Sequence, residues 1–333
     1  LFSIILKLGD IPFLYSFSFF DKKVVKAGID VKLRERININ FVNSDTLDKK
    51  IIKFLLIEAL PTAYLEGFIQ QKRLADESYL PKKINKIYTC SAYADNSYKF
   101  WLADKINLGK KIIHGQHGAG NNIFKEWFSD TYEVEISEKY FSWGSKKYNP
   151  KIISVGNYLI NLKEQNKDLS LGKSKKILFV LPLSTIYKGN HQIEYVNTFD
   201  ENFIEYQKVI DNLDLNVINE FNIRCHPRDI DRELQYSNFI NFDKKKINKA
   251  NFNIPFNDLA DSHVPIIFGY LSTEFFKQMS LNKPCLIFMN KTHFDYFLLE
   301  DAKQIFIELQ KVGILYTDGK SLAKHLNKIS DDV

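Results

Sequence analysis

The chain is poor in cysteine, with three in 333 residues. Cys90, Cys225 and Cys285 form no paired spacing, and each lies in or beside an apolar run. That argues against a disulfide framework and suits buried free thiols in a reducing compartment. An uninterrupted apolar stretch of membrane-spanning length is also lacking. The opening residues LFSIILKLGDIPFLYSFSFF come nearest, but Lys7, Asp10 and Pro12 interrupt them and no small-residue cleavage site follows. They read as core strand and turn. There is no internal repeat and no low-complexity tract. Charge of one sign is not in strong excess: 46 Lys and Arg against 40 Asp and Glu leave +6. The densest basic run, Lys244, Lys245 and Lys246, reads as a solvated loop, so nucleic acid is not an expected partner. The balance suits an anionic substrate or a peripheral contact with an anionic membrane. The expected location is cytoplasmic, at most at the inner face of the membrane.

What is abundant points to a globular enzyme-sized protein. Hydrophobic residues make up 45% and aromatics 14%, and 333 residues exceed one ordinary core. Short β-rich apolar runs alternate with amphipathic ones. Strands are expected at 37–41, 86–91, 110–115, 139–143, 151–156, 177–182, 221–225, 239–242, 265–269, 284–288 and in the closing GILY. Helices are expected at 45–60, from residue 62 after the break at Pro61, and at 95–106, 200–212, 257–262, 273–281 and 296–310, with one more at the end. The polar stretch 161–176 reads as a linker. The expectation is an α/β protein of two Rossmann-like domains, 1–160 and 177–333, with parallel sheets facing across a cleft. A single fused α/β domain is the alternative. In open parallel sheets ligands sit beyond the carboxyl ends of the strands, so polar motifs directly after strands are the candidates.

Four such motifs stand out. HGQHGAGNN (114–122) places His114 and His117 in a glycine-rich turn. A metal site, a tight turn with solvated histidines and a ligand-facing loop compete; the glycines and the lack of a third ligand nearby disfavour the metal. RCHPRD (224–229) holds His226 extended before Pro227, flanked by Arg224 and Arg228, a set that suits phosphate or carboxylate. It equally fits a strand-ending turn. GYLSTEFF ends a strand and opens a helix with Ser272 and Thr273, either a phosphate seat or a plain N-cap. LPLSTIYKG offers Ser184 and Thr185 after another strand. Two carboxylates are candidate bases or nucleophiles: Glu66, before Gly67 in an apparently helical stretch, and Asp95, after the 86–91 strand. A helix-surface Glu and an N-cap Asp are their structural readings.

Together the stretches GQHGAG, YEVEISEKYFSWGS, VGN, LEGF, the HP pair and the ST pair resemble short motifs of bacterial surface-polysaccharide glycosyltransferases of the GT-B type that use ulosonic acids, namely Kdo, sialic acid and pseudaminic acid. The likeness is scattered over roughly residues 60 to 290, and departs at Leu65 and Ala119. It implies transfer of an ulosonic acid from a CMP-activated donor to a capsule or O-antigen glycan, without a metal or other cofactor. Arg224, His226, Pro227, Ser184, Thr185, Ser272 and Thr273 would then hold the donor nucleotide. Glu66, Asp95 and His117 would be catalytic, and Gln116, Gly118, Asn121 and Asn122 would meet sugar or acceptor. The alternatives are a GT-B enzyme using a UDP- or GDP-sugar, a CDP-polyol phosphotransferase, and a non-catalytic glycan- or nucleotide-binding module. The start at Leu1 rather than Met suits a piece of a larger polysaccharide-assembly enzyme.

Overall fold

The structure, a computed structural model, describes residues 27–37, 51, 54–55, 57–78, 80–90, 96–125, 128–144, 149–156, 176–182, 199–225, 248–249 and 253–331. These form two units. The first holds the described residues before His117, those from Tyr132 to Phe141 and those from 149 to 153; the second holds the others.

From Val31 to Ser154 the elements are α1 (Val31–Glu35), a 3-10 turn (Thr62–Tyr64), α2 (Phe68–Asp76), β1 (Lys86–Thr89), α3 (Asn96–Asn107), β2 (Lys111–Gly115), α4 (Phe128–Ile136), β3 (Lys139–Ser142) and β4 (Ile152–Ser154). The sheet order is β1-β2-β3-β4, and β2 lies parallel to both β1 and β3. Tyr98, Trp101 and Leu102 recur at helical spacing on α3 and are buried with Ile87 and Ile112 of the strands and Ala75 of α2.

The second sheet comprises β5 (Ile177–Val180), β6 (Phe221–Arg224), β7 (Asn248–Lys249), β8 (Ile266–Phe268), β9 (Cys285–Phe288) and β10 (Leu315–Tyr316). Its order is β10-β9-β8-β5-β6-β7 and every pair is parallel. The chain starts in the middle, winds to one edge, returns and winds to the other, so its direction reverses between β5 and β8. Alternate strand residues face opposite ways. Phe179, Ile223, Ile267 and Phe288 join a core with α5 (Phe199–Asp211) and α10 (Gly319–Asp331). Leu178, Ile266, Phe268 and Ile287 join another with α7 (Phe256–Ser262), α8 (Thr273–Ser280) and α9 (Glu300–Lys311). Both faces being covered explains why these strands read as continuous apolar runs. A short helix, α6 (Leu215–Glu220), leads into β6.

The α/β class and the parallel sheets agree with the sequence reading, and the differences are local. After Pro61 the chain makes only the 3-10 turn, and the helix starts at Phe68, so Glu66 and Gly67 stand in a turn ahead of it. The expected 296–310 helix begins at Glu300, preceded by a π-turn over His293–Phe297. All but Ile37 of the expected strand 37–41, the expected strand 239–242 and nearly all of the 161–176 linker lie outside the described residues. No helix among the described residues is long and apolar enough to cross a membrane.

Candidate functional site

At the reversal point three strands end side by side. Val180 is in register with Arg224 on one flank and Phe268 on the other. Leu181 N donates to Arg224 O at 2.9 Å, and Gly269 N donates to Val180 O at 2.8 Å. Glycine suits 269, where a Cβ would lie a tight 3.1 Å from Tyr206 Oη and 3.2 Å from Val180 O. The Tyr206 hydroxyl donates to Gly269 O, which locks the turn to α5. Beyond it Ser272 caps α8, its Oγ accepting from Phe275 N at 3.1 Å. The first-turn N–H groups of Thr273 and Glu274 have no acceptor within a helix, and the helix dipole adds partial positive charge there. The Glu274 carboxylate turns along the helix and accepts from Gln278 Nε2 at 2.5 Å.

The glycine-rich segment arrives at the same place. Gln116 is buried, with its N–H donating to Phe141 O at 2.8 Å. From His117 onward the segment belongs to the second unit. Ala119 and Phe124 share an apolar cluster with Leu271 and Phe275. Lys125 N donates to Phe297 O, and Leu299 N to Ile123 O, both at 2.7 Å. Gly118 N donates to Asn121 Oδ1 at 3.0 Å. A Cβ at Gly118 would lie 3.9 Å from Thr273 Oγ1. Gly118, Asn121 and Thr273, far apart in sequence, are thus neighbours. The left-handed residue of the loop is Asn122, at φ 60°, rather than a glycine. Asparagine's short side chain tolerates that conformation.

His117 is exposed at the loop's start, and crowding by surrounding atoms lowers its pKa, so the imidazole is neutral at pH 7. His114 differs: it is fully buried in the first unit. Ser137 Oγ donates to Glu133 O at 2.5 Å and lies 2.9 Å from His114 Nδ1, which therefore donates to it. His114 Nε2 is 3.7 Å from Glu133 Oε1, beyond hydrogen-bond length. Burial pushes the His114 pKa down to about 3. The two histidines face different surroundings. Among the described residues no group of three His, Cys, Asp or Glu is placed to hold a metal.

Glu66 is a carboxylate already spoken for. Arg34 donates to it from Nε at 2.6 Å and Nη2 at 3.0 Å, and Asp30 N donates at 3.0 Å. The Arg34 hydrogen bonds hold its carboxyl at about 2, which makes it a poor proton acceptor. Arg224 is buried at the end of β6, with Nη1 donating to Ile254 O at 3.1 Å and its guanidinium 5.6 Å above the Phe256 ring. Asp95, Ser184, Thr185, His226, Pro227 and Arg228 lie outside the described residues. So do Asp229 and Asp231, an Asp-x-Asp spacing that the sequence reading passed over. It also missed Glu133, for which no spacing rule links to His114, and Tyr270, at the turn before α8.

Fold and site together define a doubly wound α/β protein with helix-start amides, a glycine-rich segment and a buried arginine at the reversal edge of one sheet. The chain belongs to the LIC12162 family of transferases, whose model matches residues 1–333. No curated protein matches it in sequence. Among solved structures, S. aureus MnaA with UDP is similar over 82% of this chain and 71% of that one, at 13% identity and TM-score 0.44. A Listeria monocytogenes protein described as a UDP-N-acetylglucosamine 2-epimerase is similar over 80% and 71%, at 13% identity and TM-score 0.46. Acinetobacter baumannii MurG is similar over 80% and 69%, at 11% identity and TM-score 0.41.

Proposed function

We propose that this transferase is a glycosyltransferase of the GT-B type that takes a nucleotide-activated sugar as donor, a UDP-sugar ahead of a CMP-activated ulosonic acid, and delivers the sugar to a bacterial surface glycan. The observation that carries the reading is the meeting of Gly118 and Asn121 with Thr273 at the start of α8, on the edge where the winding reverses. Departure of a nucleotide leaves growing phosphate charge. Helix-start N–H groups stabilise that charge without reorganising.

The acceptor hydroxyl needs a base to take its proton as it attacks the anomeric carbon. His117 fits that role: it is neutral, exposed and adjacent to Gly118. Glu66 is held by Arg34.

The test is a thermal-shift screen of UMP, UDP, CMP and GDP, followed by turnover of the matching sugar nucleotides. A ligand that binds only the folded chain raises its apparent stability, by about 2.7 kcal/mol at a hundredfold excess over Kd. UDP is expected to lead. A shift by CMP alone, with turnover of a CMP-ulosonic acid, would move the donor to the competing class. His117→Gln should cut turnover roughly 10²-fold or more while nucleotide binding holds.

A further inference from the structure

Three parallel strands of the first unit all start on lysine: Lys86 opens β1, Lys111 opens β2 and Lys139 opens β3. Strands that run the same way begin at one edge of their sheet, so the three share it. Lys86 and Lys111 are partners in register, on strands about 4.8 Å apart. Like charges placed side by side oppose the pairing. Lys110 stands just ahead of β2, and Lys82 and Lys83 lie in the bend ahead of β1. Lys110 Nζ donates to Asn85 Oδ1 at 3.2 Å, which ties the two approaches together. Lys82, Lys83, Lys86, Lys111 and Lys139 are exposed. Carboxylates stand here too: Glu138 accepts from Lys111 Nζ at 2.8 Å, and Asp104 lies 3.6 Å from Lys105 Nζ. The side chains of the first pair are 58% and 44% exposed, and a pair so exposed is worth little.

The same edge carries an apolar tip. At the end of α3, Gly109 N donates to Ile106 O at 2.8 Å and Lys110 N to Lys105 O at 3.0 Å. Gly109 takes the left-handed φ, 72°, that this kind of helix stop needs. The stop holds Leu108 outward at 61% exposure and Ile106 at 36%, directly before Lys110 and Lys111. A single exposed leucine needs no explanation. A leucine fixed by a hydrogen-bonded turn beside a row of lysines is a different feature, because two attractions then act at one surface.

We propose that this edge docks on an anionic lipid bilayer, with Leu108 and Ile106 entering the headgroup region and the lysines meeting lipid phosphates. Lysine is a compact point charge, which suits a diffuse layer of headgroups. The apolar tip suits the boundary between headgroups and acyl chains. A polynucleotide is held instead by ring faces on which its bases stack, and has no use for a leucine tip. The inference is independent of the donor-site reading, which concerns the second unit.

The full chain is tested for co-sedimentation with vesicles of phosphatidylcholine alone and of phosphatidylcholine mixed equally with phosphatidylglycerol, at low and at high salt. Wild type should bind the anionic vesicles about tenfold or more tightly than the neutral ones, and lose most of that advantage in salt. K82E/K83E should weaken binding to the anionic vesicles about tenfold or more. Both side chains are exposed and outside the strands, so the fold is not at risk. L108S should weaken binding severalfold and leave the salt dependence in place. K320E/K324E makes the same charge change on exposed lysines of α10 and should bind as wild type does. An equal loss in K320E/K324E would reduce the effect to net charge and overturn the proposal. So would a wild type with no preference for anionic vesicles, binding undiminished in both K82E/K83E and L108S, or binding to a single-stranded oligonucleotide in place of vesicles.

Discussion

His114 and Glu66 set how the first unit responds to acid. His114 is held at about 3 against an ordinary 6.5. Below pH 6.5 the unfolded chain takes up a proton that the folded chain refuses. This contribution is therefore complete above pH 6.5 and falls by about 1.4 kcal/mol per pH unit down toward pH 3. Glu66 is held at about 2 against 4.5, so its contribution is complete above pH 4.5 and is lost between 4.5 and 2. The window from 6.5 to 4.5 belongs to the histidines. His117, crowded by surrounding atoms, and His263 and His325, lowered by burial, add to the same slope. In urea unfolding, His114→Asn should lower stability at pH 7 but reduce the loss between pH 6.5 and 5. An unchanged slope would mean that His114 is charged in the fold. At this scale the sequence showed which residue types cluster but not what they touch. Gly118 and Thr273 were both legible as polar residues after strands, and they do meet. Glu66 looked free because its partner, Arg34, sits 32 residues earlier with no motif joining them.

Among the elements, the docking of α10 on α5 has the least room for error. Leu322, Ala323 and Leu326 are fully buried against the core that α5 lines with Phe203, Tyr206 and Val209. At the start of α10 a Cβ on Gly319 would collide with Glu205 O and lie 3.0 Å from Val209 N. Those atoms are backbone and cannot swing aside. Gly319→Ala should lift the helix end and cost about 1–3 kcal/mol, seen as a lower urea midpoint. A midpoint equal to wild type would show that the two helices do not pack this closely. Buried strands announced themselves as apolar runs, and β1, β2, β3, β5, β6, β8 and β9 fall within the expected ranges. β7 did not, because it is two polar residues, Asn248–Lys249, at a sheet edge with no hydrophobic pattern to betray it. The first helix after Pro61 was placed too early because Tyr64, Leu65 and Phe68 recur at helical spacing; local turn bonds such as Gly67 N to Thr62 O at 2.7 Å prevailed.

For the whole molecule, two wound sheets were readable from the alternation of strand and helix, whereas the route between the units was not. The donor-site reading predicts where a nucleotide acts. In hydrogen exchange, added UDP should slow the amides from Gly269 to Glu274 and those near Gly118, and leave β1 and α3 unchanged. Uniform protection over both units, or none, would argue against a seat at the reversal edge. One consequence of the path concerns how the protein can be divided. The backbone leaves the first unit after Gln116 and is back in it at Tyr132. No single scission therefore yields two self-contained pieces. A fragment ending near residue 160 would carry Ala119 and Phe124 away from Leu271 and Phe275, and one starting there would leave that greasy socket unfilled.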